Sequence, residues 1–341
     1  MLLLPLKPAV PKQQPRQKQP SSLAMTVQRI HVVVLLLTLG FSVKATLVLE
    51  IDFADPCVLR DTTSLKQTYH AFATNRVGPY GQNVQHAVTY PDTLRAWTVF
   101  PDALPRLGKW AKEGKTWAPY VFRAQDDQYT MWYTATHAQT GWQCIGSAKV
   151  ASTYELSVFK DSSDTPLVCP QASRGAIDPY MYEEDGQQYL LYSASVNGSG
   201  IWIQAVNDAG NQTTEAEAHL LIQVDRDWER GVNEAPTLIK RKGKYILFYS
   251  AASYIDDKYV TSYAVADHLK GPYVKSGKPL LSTSLFQGSV RGPGGQDVFS
   301  DRFGKQYIAY HGWDKDFKER QLHINHLEWS QDKLPILGKD V

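Results

Sequence analysis

An internal repeat of about 60 residues, present five times, constrains this chain more than any other feature. Five short strand-like segments, residues 69–74, 129–134, 189–193, 245–250 and 307–311, each open with Tyr and continue in apolar or aromatic residues. Their starts lie 60, 60, 56 and 62 residues apart. Turn residues precede them, as in Glu184-Asp185-Gly186, Lys242-Gly243-Lys244 and Phe303-Gly304-Lys305, a chemistry that suits tight hairpins. Upstream of each Tyr segment an X-Pro step opens another strand, at Pro56, Pro119, Pro179, Pro236 and Pro293, spaced 63, 60, 57 and 57. Downstream runs a third strand with small residues at its middle, around Ala87, Ala148, Ala205 and Ala264, and least regular in the last copy at 322–327. A fourth is expected near 97–100 and 273–275.

A three- or four-stranded unit of this size cannot bury both faces of its sheet alone. Radial stacking about an axis solves the problem, so the expected fold is all-β, a five-bladed β-propeller. The period is too long for WD40 or kelch arrays, which run about 40–50 residues, and a two-sheet sandwich would not produce five equal periods. Helical periodicity is confined to one candidate stretch, 215–221.

Charge is informative only once the N-terminus is set aside. Residues 1–45 carry six basic and no acidic side chains, and the remainder holds 30 basic against 34 acidic, a net of −4. Such a body has no electrostatic reason to bind nucleic acid or an anionic membrane. Arg29, the apolar run 30–39 and Val43-Lys44-Ala45 read as a secretory signal cleaved after Ala45. The run is short of the roughly 20 residues that span a bilayer. Residues 1–45 are therefore expected to stand outside the fold, with synthesis starting at Met25, and 46–341 to form one domain: a secreted, extracellular monomer with no membrane attachment after cleavage. Cys144 and Cys169 are expected to pair, contributing about 3 kcal/mol in the chain-entropy model, with Cys57 left as a small buried hydrophobe. The sequons Asn197-Gly198-Ser199 and Asn211-Gln212-Thr213 fit the same compartment.

In a propeller the first strand of each blade lines the central channel, so the X-Pro steps should ring its mouth. Their occupants are Asp55-Pro56, Trp117-Ala118-Pro119, Asp178-Pro179, Glu234-Ala235-Pro236 and Gly292-Pro293-Gly294. Singly, an Asp-Pro is an ordinary turn starter. Three carboxylates converging on one axis repel one another, and a fold selected for stability alone would avoid them. In a concave site such crowding keeps one carboxyl protonated for general acid work, and an acid and a base around a cleft are what glycosidic cleavage requires. Trp117, Trp142, Trp202 and Trp313 are available for stacking on sugar rings, Trp117 best placed beside its X-Pro step.

Together Phe53-Ala54-Asp55-Pro56, Trp117-Ala118-Pro119, Ile177-Asp178-Pro179, Glu234-Ala235-Pro236 and Gly292-Pro293-Gly294 resemble glycoside hydrolase family 43 over the whole of residues 46–341. The resemblance implies an inverting glycosidase of plant-type polysaccharide or oligosaccharide. In it Asp55 is the general base, Glu234 the general acid, and Asp178 the residue that orients Glu234 and raises its pKa. It implies α-L-arabinofuranosyl linkages, with xylosides and galactofuranosides cleaved by the same family. A last-blade arginine against the substrate would be Arg320 or, failing that, Arg291, with Gln296 a further contact. Two departures stand out. Gly295 occupies the place of a histidine that supports a channel calcium in many members, so no cofactor is expected, His311 being the nearest substitute ligand. Tyr120 replaces an Asp that many members carry after Trp-Ala-Pro. Two rivals share the shape. Ala54-Asp55-Pro56-Cys57 lacks the Asn-Asp-Pro-Asn-Gly start of retaining fructan hydrolases. A non-catalytic sugar-binding propeller would repeat its binding residues blade by blade, which these do not.

Overall fold

A computed structural model of the chain describes residues 44–62, 68–78, 81–89, 93–150, 156–214 and 217–341. The start site and all of the proposed signal except its last two residues, Lys44 and Ala45, lie outside these residues. The strands form five antiparallel sheets around a central channel, as the repeat predicts. Blade I comprises Cys57–Arg60, Tyr69–Ala73, Gln85–Thr89 and Trp97–Phe100; blade II comprises Ala111–Arg123, Tyr129–His137, Gln143–Val150 and Phe159–Lys160. Blade III is Ile177–Glu184, Gln187–Ser195, Ser199–Val206 and His219–Gln223; blade IV is Asn233–Arg241, Lys244–Ala251, Val260–Ala266 and Val274–Lys275. The 215–221 stretch is thus not helical where it is described. Gly200–Ile203 pairs with His219–Gln223, and that ladder buries Leu221 and Ile222; tertiary pairing overrides the local pattern.

Blade V is assembled from both ends of the domain. Its inner strands are Arg291–Ser300, Gln306–Trp313 and Arg320–Trp329, and the free edge of the last is covered end to end by two segments. Leu47–Leu49 pairs with Leu322 and His323, while Pro335–Asp340 pairs with residues 325–329. Asn325 ties the two together: its Nδ2 donates to the Lys44 carbonyl at 2.8 Å, and its Oδ1 accepts from the Thr46 N–H. No edge of Arg320–Trp329 is left open for pairing with another chain.

Between neighbouring blades lies one apolar cluster each. Phe72, Met131, Tyr133 and Phe159 join blades I and II; Trp132, Ile145, Leu190 and Val206 join II and III. Leu191, Ile201, Leu247 and Ala264 join III and IV, Phe248, Phe286, Ile308 and Tyr310 join IV and V, and Phe53, Ala71, Ala309 and Ile324 close the ring. Cys144 and Cys169 are bonded, with Cα atoms 4.8 Å apart, and Cys57 is free and buried.

Ile324 is fully buried at the ring closure. Ile324→Ala is therefore expected to destabilise the domain by about 2–5 kcal/mol, measured as a lower midpoint in denaturant unfolding at unchanged slope.

Candidate active site

Five residue triplets line the channel: 55–57, 118–120, 178–180, 235–237 and 295–297. The first residue of every triplet has a left-handed backbone: Asp55 (φ 52°), Ala118 (42°), Asp178 (57°), Ala235 (51°) and Gly295 (57°). In the first four a proline follows, and a residue before proline is restricted as well. Each non-glycine left-handed residue costs about 1–3 kcal/mol. In blades II to V the strand bulges at this point, with one extra residue on the inner strand. This comparison corrects the alignment of the fifth blade: Gly295-Gln296, not Gly292-Pro293, is equivalent to the X-Pro steps. It also places Glu234 one residue ahead of Ala235, level with Trp117 and Ile177 rather than with the two aspartates.

Each strained peptide is held by the preceding blade. The Ala118 N–H donates to Thr74 Oγ1 at 3.0 Å, Asp178 N–H to Thr134 Oγ1 at 3.1 Å, and Gly295 N–H to Ser250 Oγ at 2.8 Å. Asp55 N–H donates to His311 Nδ1 at 3.1 Å, joining blade V to blade I. The exception is blade IV. There the Ala235 N–H donates to Asp178 Oδ2 at 3.0 Å, and the equivalent hydroxyl, Ser193 Oγ, is buried without a partner. These acceptors end the Tyr strands and were visible in the sequence as a run of Thr, Thr, Ser, Ser and His, but their meaning was not.

Above the triplets, Asp55, Asp178 and Glu234 meet in one cavity of about 90 Å³ that is also lined by Thr74, Trp117, Ile177, Tyr254, Tyr259 and Arg320. A second cavity of about 250 Å³ adjoins it, with Ile177 and Glu234 lining both. Of the residues expected from sequence, Asp55, Asp178, Glu234, Trp117 and Arg320 come together. Arg291 does not: its guanidinium donates to the Lys315 carbonyl at 2.9 Å and lies over the Phe317 ring. Gln296 is also misassigned as a substrate contact. It is buried under the site, where it accepts from Ser250 at 2.8 Å and Thr261 at 3.2 Å and donates to the Ala235 carbonyl at 2.7 Å. Trp142 and Trp202 pack on the inter-blade cores, whereas Trp313 stands beside Arg320 at the rim. Tyr120 turns into the channel against Tyr180, ring centroids 4.4 Å apart, and does not line the upper cavity.

The three carboxyls are in opposite electrostatic states. Burial pushes Asp55 up, but His311, Arg320 and Thr74 outweigh it and hold its carboxyl well below the usual range. Thr74 Oγ1 donates to Asp55 Oδ2 at 2.6 Å, and Arg320 Nη1 lies 3.7 Å from the same oxygen. Burial also lowers the His311 pKa, against the opposing effect of Asp55, and Arg320 is the second basic group facing the carboxylate. Arg320 is itself held over the rings of Tyr254 and Trp313, 5.0 and 5.7 Å from their centroids. Glu234 is pushed up to about 7 by burial and by the charge of Asp55, against the opposing effects of Tyr259 and Arg320. Asp178 is raised by burial and by repulsion from Glu234 and Asp55. The Asp178–Glu234 pair therefore retains a proton near neutrality, while Asp55 does not.

The channel position of Gly295 cannot take the histidine that the resemblance would place there. A Cβ on Gly295 would lie 2.5 Å from Asp55 Oδ1 and 2.7 Å from His311 Nδ1, so no histidine side chain fits there. His311 spends Nδ1 on the Asp55 N–H, and among the described residues no three His, Cys, Asp or Glu side chains group around a common point suited to a metal.

Tyr259, which sequence reasoning missed, is buried and donates its hydroxyl to Glu234 Oε1 at 2.7 Å. It reaches the site from the start of the third strand of blade IV, and no local pattern marks it.

The family model of glycosyl hydrolases family 43 matches residues 46–335. A beta-D-galactofuranosidase of Aspergillus niger is 27% identical over 275 residues, covering 76% of this chain and 73% of that protein. A probable arabinan endo-1,5-alpha-L-arabinosidase C of Aspergillus flavus is 25% identical over 265 residues, covering 72% and 81%. The crystal structure of a thermostable family-43 glycoside hydrolase superposes with a TM-score of 0.72 at 24% identity, covering 87% of this chain and 96% of that one.

The Tyr259 hydroxyl stabilises the ionised form of Glu234, so Tyr259→Phe is expected to raise the Glu234 pKa by about one unit. A rate that needs Glu234 protonated falls as pH rises through that pKa. Its alkaline limb should thus move from near 7 to higher pH, read from the pH–rate profile.

Proposed function

The chain belongs to glycosyl hydrolase family 43, and from that premise we propose that it is a secreted, inverting hydrolase of α-L-arabinofuranosyl linkages in plant cell-wall polysaccharide or its oligosaccharides. That it is a glycosidase follows from the family. The single observation that supports a two-carboxyl mechanism is the split between two carboxyls on one cavity, Asp55 held ionised and Glu234 held at about 7; inversion is what the family resemblance implies. Two titratable groups pushed apart by their surroundings mark base and acid.

In this scheme Asp55 removes a proton from a water molecule as its oxygen attacks the anomeric carbon. The glycosidic C–O bond breaks in the same step, and Glu234 delivers its proton to the departing oxygen. Asp55 ends protonated, Glu234 ends ionised, and exchange with solvent restores both. Asp178 acts through Glu234: it accepts the N–H of Ala235, the peptide directly after the acid, and its charge opposes early ionisation. Arg320, between Tyr254 and Asp55, keeps the base ionised and faces the glycosyl unit. Trp117 offers the sugar an apolar face. The cavity shared through Glu234 and Ile177 receives the leaving group, because the proton must be delivered on that side.

The furanosyl assignment rests on the curated relatives. Linkage of an arabinan through O5 leaves only O4 to close the ring, so the second relative's name denotes a furanoside, as does the first's. An α-L-arabinofuranosyl and a β-D-galactofuranosyl unit share ring and anomeric configuration and differ by one CHOH group. A galactofuranosidase is the second reading, favoured by the 27% identity to the Aspergillus niger enzyme. Both readings use the same carboxyls.

Proton NMR of the anomeric signals, with arabino-, galactofuranosyl and xylo-oligosaccharides in parallel, tests the proposal. The inverted anomer should appear first from the arabinofuranosyl substrate; a retained anomer would overturn the roles of Asp55 and Glu234. Glu234→Ala is expected to lower kcat on oligosaccharides by about 10²–10⁴-fold, and unchanged activity would sink the scheme.

A further inference from the structure

Beneath the connection that delivers Glu234 lies a buried ion pair that the reaction scheme does not use. Glu229 is fully buried and Lys275 nearly so, 0% and 8% exposed. Lys275 belongs to the outermost strand of blade IV, and Glu229 ends a short 3-10 turn, Asp227–Glu229, between blades III and IV. The Lys275 ammonium donates to Glu229 Oε1 at 2.6 Å and to the Gln223 carbonyl at 2.6 Å, and lies 3.0 Å from Asp225 Oδ1. Its fourth partner is the amide oxygen of Asn233 at 2.8 Å, in the orientation that also turns the Asn233 amide nitrogen toward Glu229 Oε1 at 3.2 Å. Glu229 is saturated as well. Oε1 accepts from the Tyr249 hydroxyl at 2.9 Å, and Oε2 accepts the N–H groups of Asp225 and Arg226 at 2.9 and 3.0 Å.

Stability alone does not explain this arrangement. A buried ion pair pays desolvation for both charges, and an apolar pair of similar volume is often as stable or more so. An apolar pair could not, however, grip one amide and three peptide groups in set directions. Those groups belong to the segment that must present Glu234. The segment is also strained, with left-handed backbone at Arg230 (φ 50°), Gly231 (84°) and Ala235 (51°) around the acid. Such conformations persist only where the surroundings over-determine them. Asn233 is the point of attachment: its side chain lies in the ion cluster, its N–H and carbonyl are both bonded to Ser199 Oγ, and the next residue is Glu234.

We infer that Glu229 and Lys275 are positioning residues for the catalytic acid, acting through Asn233 to hold the Glu234 carboxyl in its buried, proton-retaining place against the leaving group. The inference rests on Glu234 being the general acid. A dinitrophenolate leaves without a proton, whereas a sugar alkoxide needs one, so leaving-group dependence separates positioning of the acid from general damage to the fold.

The experiment compares Lys275→Met with the unsubstituted enzyme on two substrates with the same glycosyl group, a dinitrophenyl glycoside and an oligosaccharide. On the oligosaccharide kcat is expected to fall about 10–100-fold, the scale set by a displacement of about 1 Å, with KM changed less than about threefold. On the dinitrophenyl glycoside kcat should change by less than about threefold. The alkaline limb of the oligosaccharide profile should move to lower pH, because a less confined Glu234 is better hydrated and ionises sooner. Equal losses on the two substrates, or no loss, would overturn the inference. Tyr249→Phe removes one hydrogen bond to Glu229 and serves if Lys275→Met does not fold; the same leaving-group selectivity, smaller in size, supports the inference, and its absence overturns it. Glu234→Gln on the same pair is the control for the premise. If that variant shows no selectivity, the assignment of the acid fails and takes the inference with it; if it is selective and the Lys275 and Tyr249 variants are not, only the inference fails.

Discussion

The site depends on a ring of left-handed peptides, one at the head of each inner strand. An L-residue before proline does not choose that conformation. It is imposed because the blade behind offers an acceptor in the one position that only this backbone reaches: Thr74, Thr134, Ser250 and His311 each take the N–H of the next blade's strained residue. The prolines have no N–H to satisfy, and they stand at bulges, where a sheet tolerates them. The bend turns the side chain of the left-handed residue toward the channel mouth, and two of the five are aspartates. The same contacts fasten blade to blade, so the strain that builds the site is held by the assembly of the fold.

Chemistry enters where this rule is broken. Between blades III and IV the hydroxyl of Ser193 goes unused and a carboxylate oxygen of Asp178 holds the Ala235 N–H instead. The substitution does what a hydroxyl could not: it sets a second carboxyl beside Glu234, raised in pKa by burial and by the charge of Glu234, while leaving the backbone geometry intact. With burial already disfavouring ionisation of Glu234, the neighbouring charges keep a proton on the pair at a pH where an exposed glutamate would have lost it. Asp55 has the reverse surroundings, a guanidinium and a short hydroxyl bond, and stays ionised.

The five-fold architecture and the three carboxyls were legible because each is written in short local patterns: a Tyr-led strand, a turn, an X-Pro step. The fifth blade misled for a physical reason. Pro293 looks like the other prolines, but the left-handed position there is Gly295, where any side chain would strike Asp55 and His311, and the residue after it is Gln296. Gln296 and Arg291 were therefore assigned to the substrate by sequence order, although the fold commits one to bracing blade IV and the other to the outer rim. Tyr259, Glu229 and Lys275 escaped notice because their meaning lies in contacts between separate strands: Tyr259 meets Glu234 across 25 residues and Lys275 meets Glu229 across 46. The apparent helix at 215–221 failed by the same route, since an edge strand is defined by its neighbour.

Closure of the ring and ionisation of Asp55 are one arrangement. Arg320 opens the strand of blade V whose free edge is covered by Leu47–Leu49 and Pro335–Asp340. Its backbone is bonded on both sides to the segment leading into Asp55: its N–H donates to Asp52 Oδ1 at 2.9 Å, and its carbonyl accepts from the Phe53 N–H at 2.8 Å. The strand that closes the propeller thus carries the guanidinium that favours the Asp55 carboxylate, and His311 on the adjacent strand takes the Asp55 N–H. An open ring would release all of these together and return Asp55 to an ordinary solvated carboxyl. On this geometry the charge asymmetry across the cavity exists only in the closed propeller, which is a physical reason for the site to draw its acid and its base from blades on opposite sides of the closure.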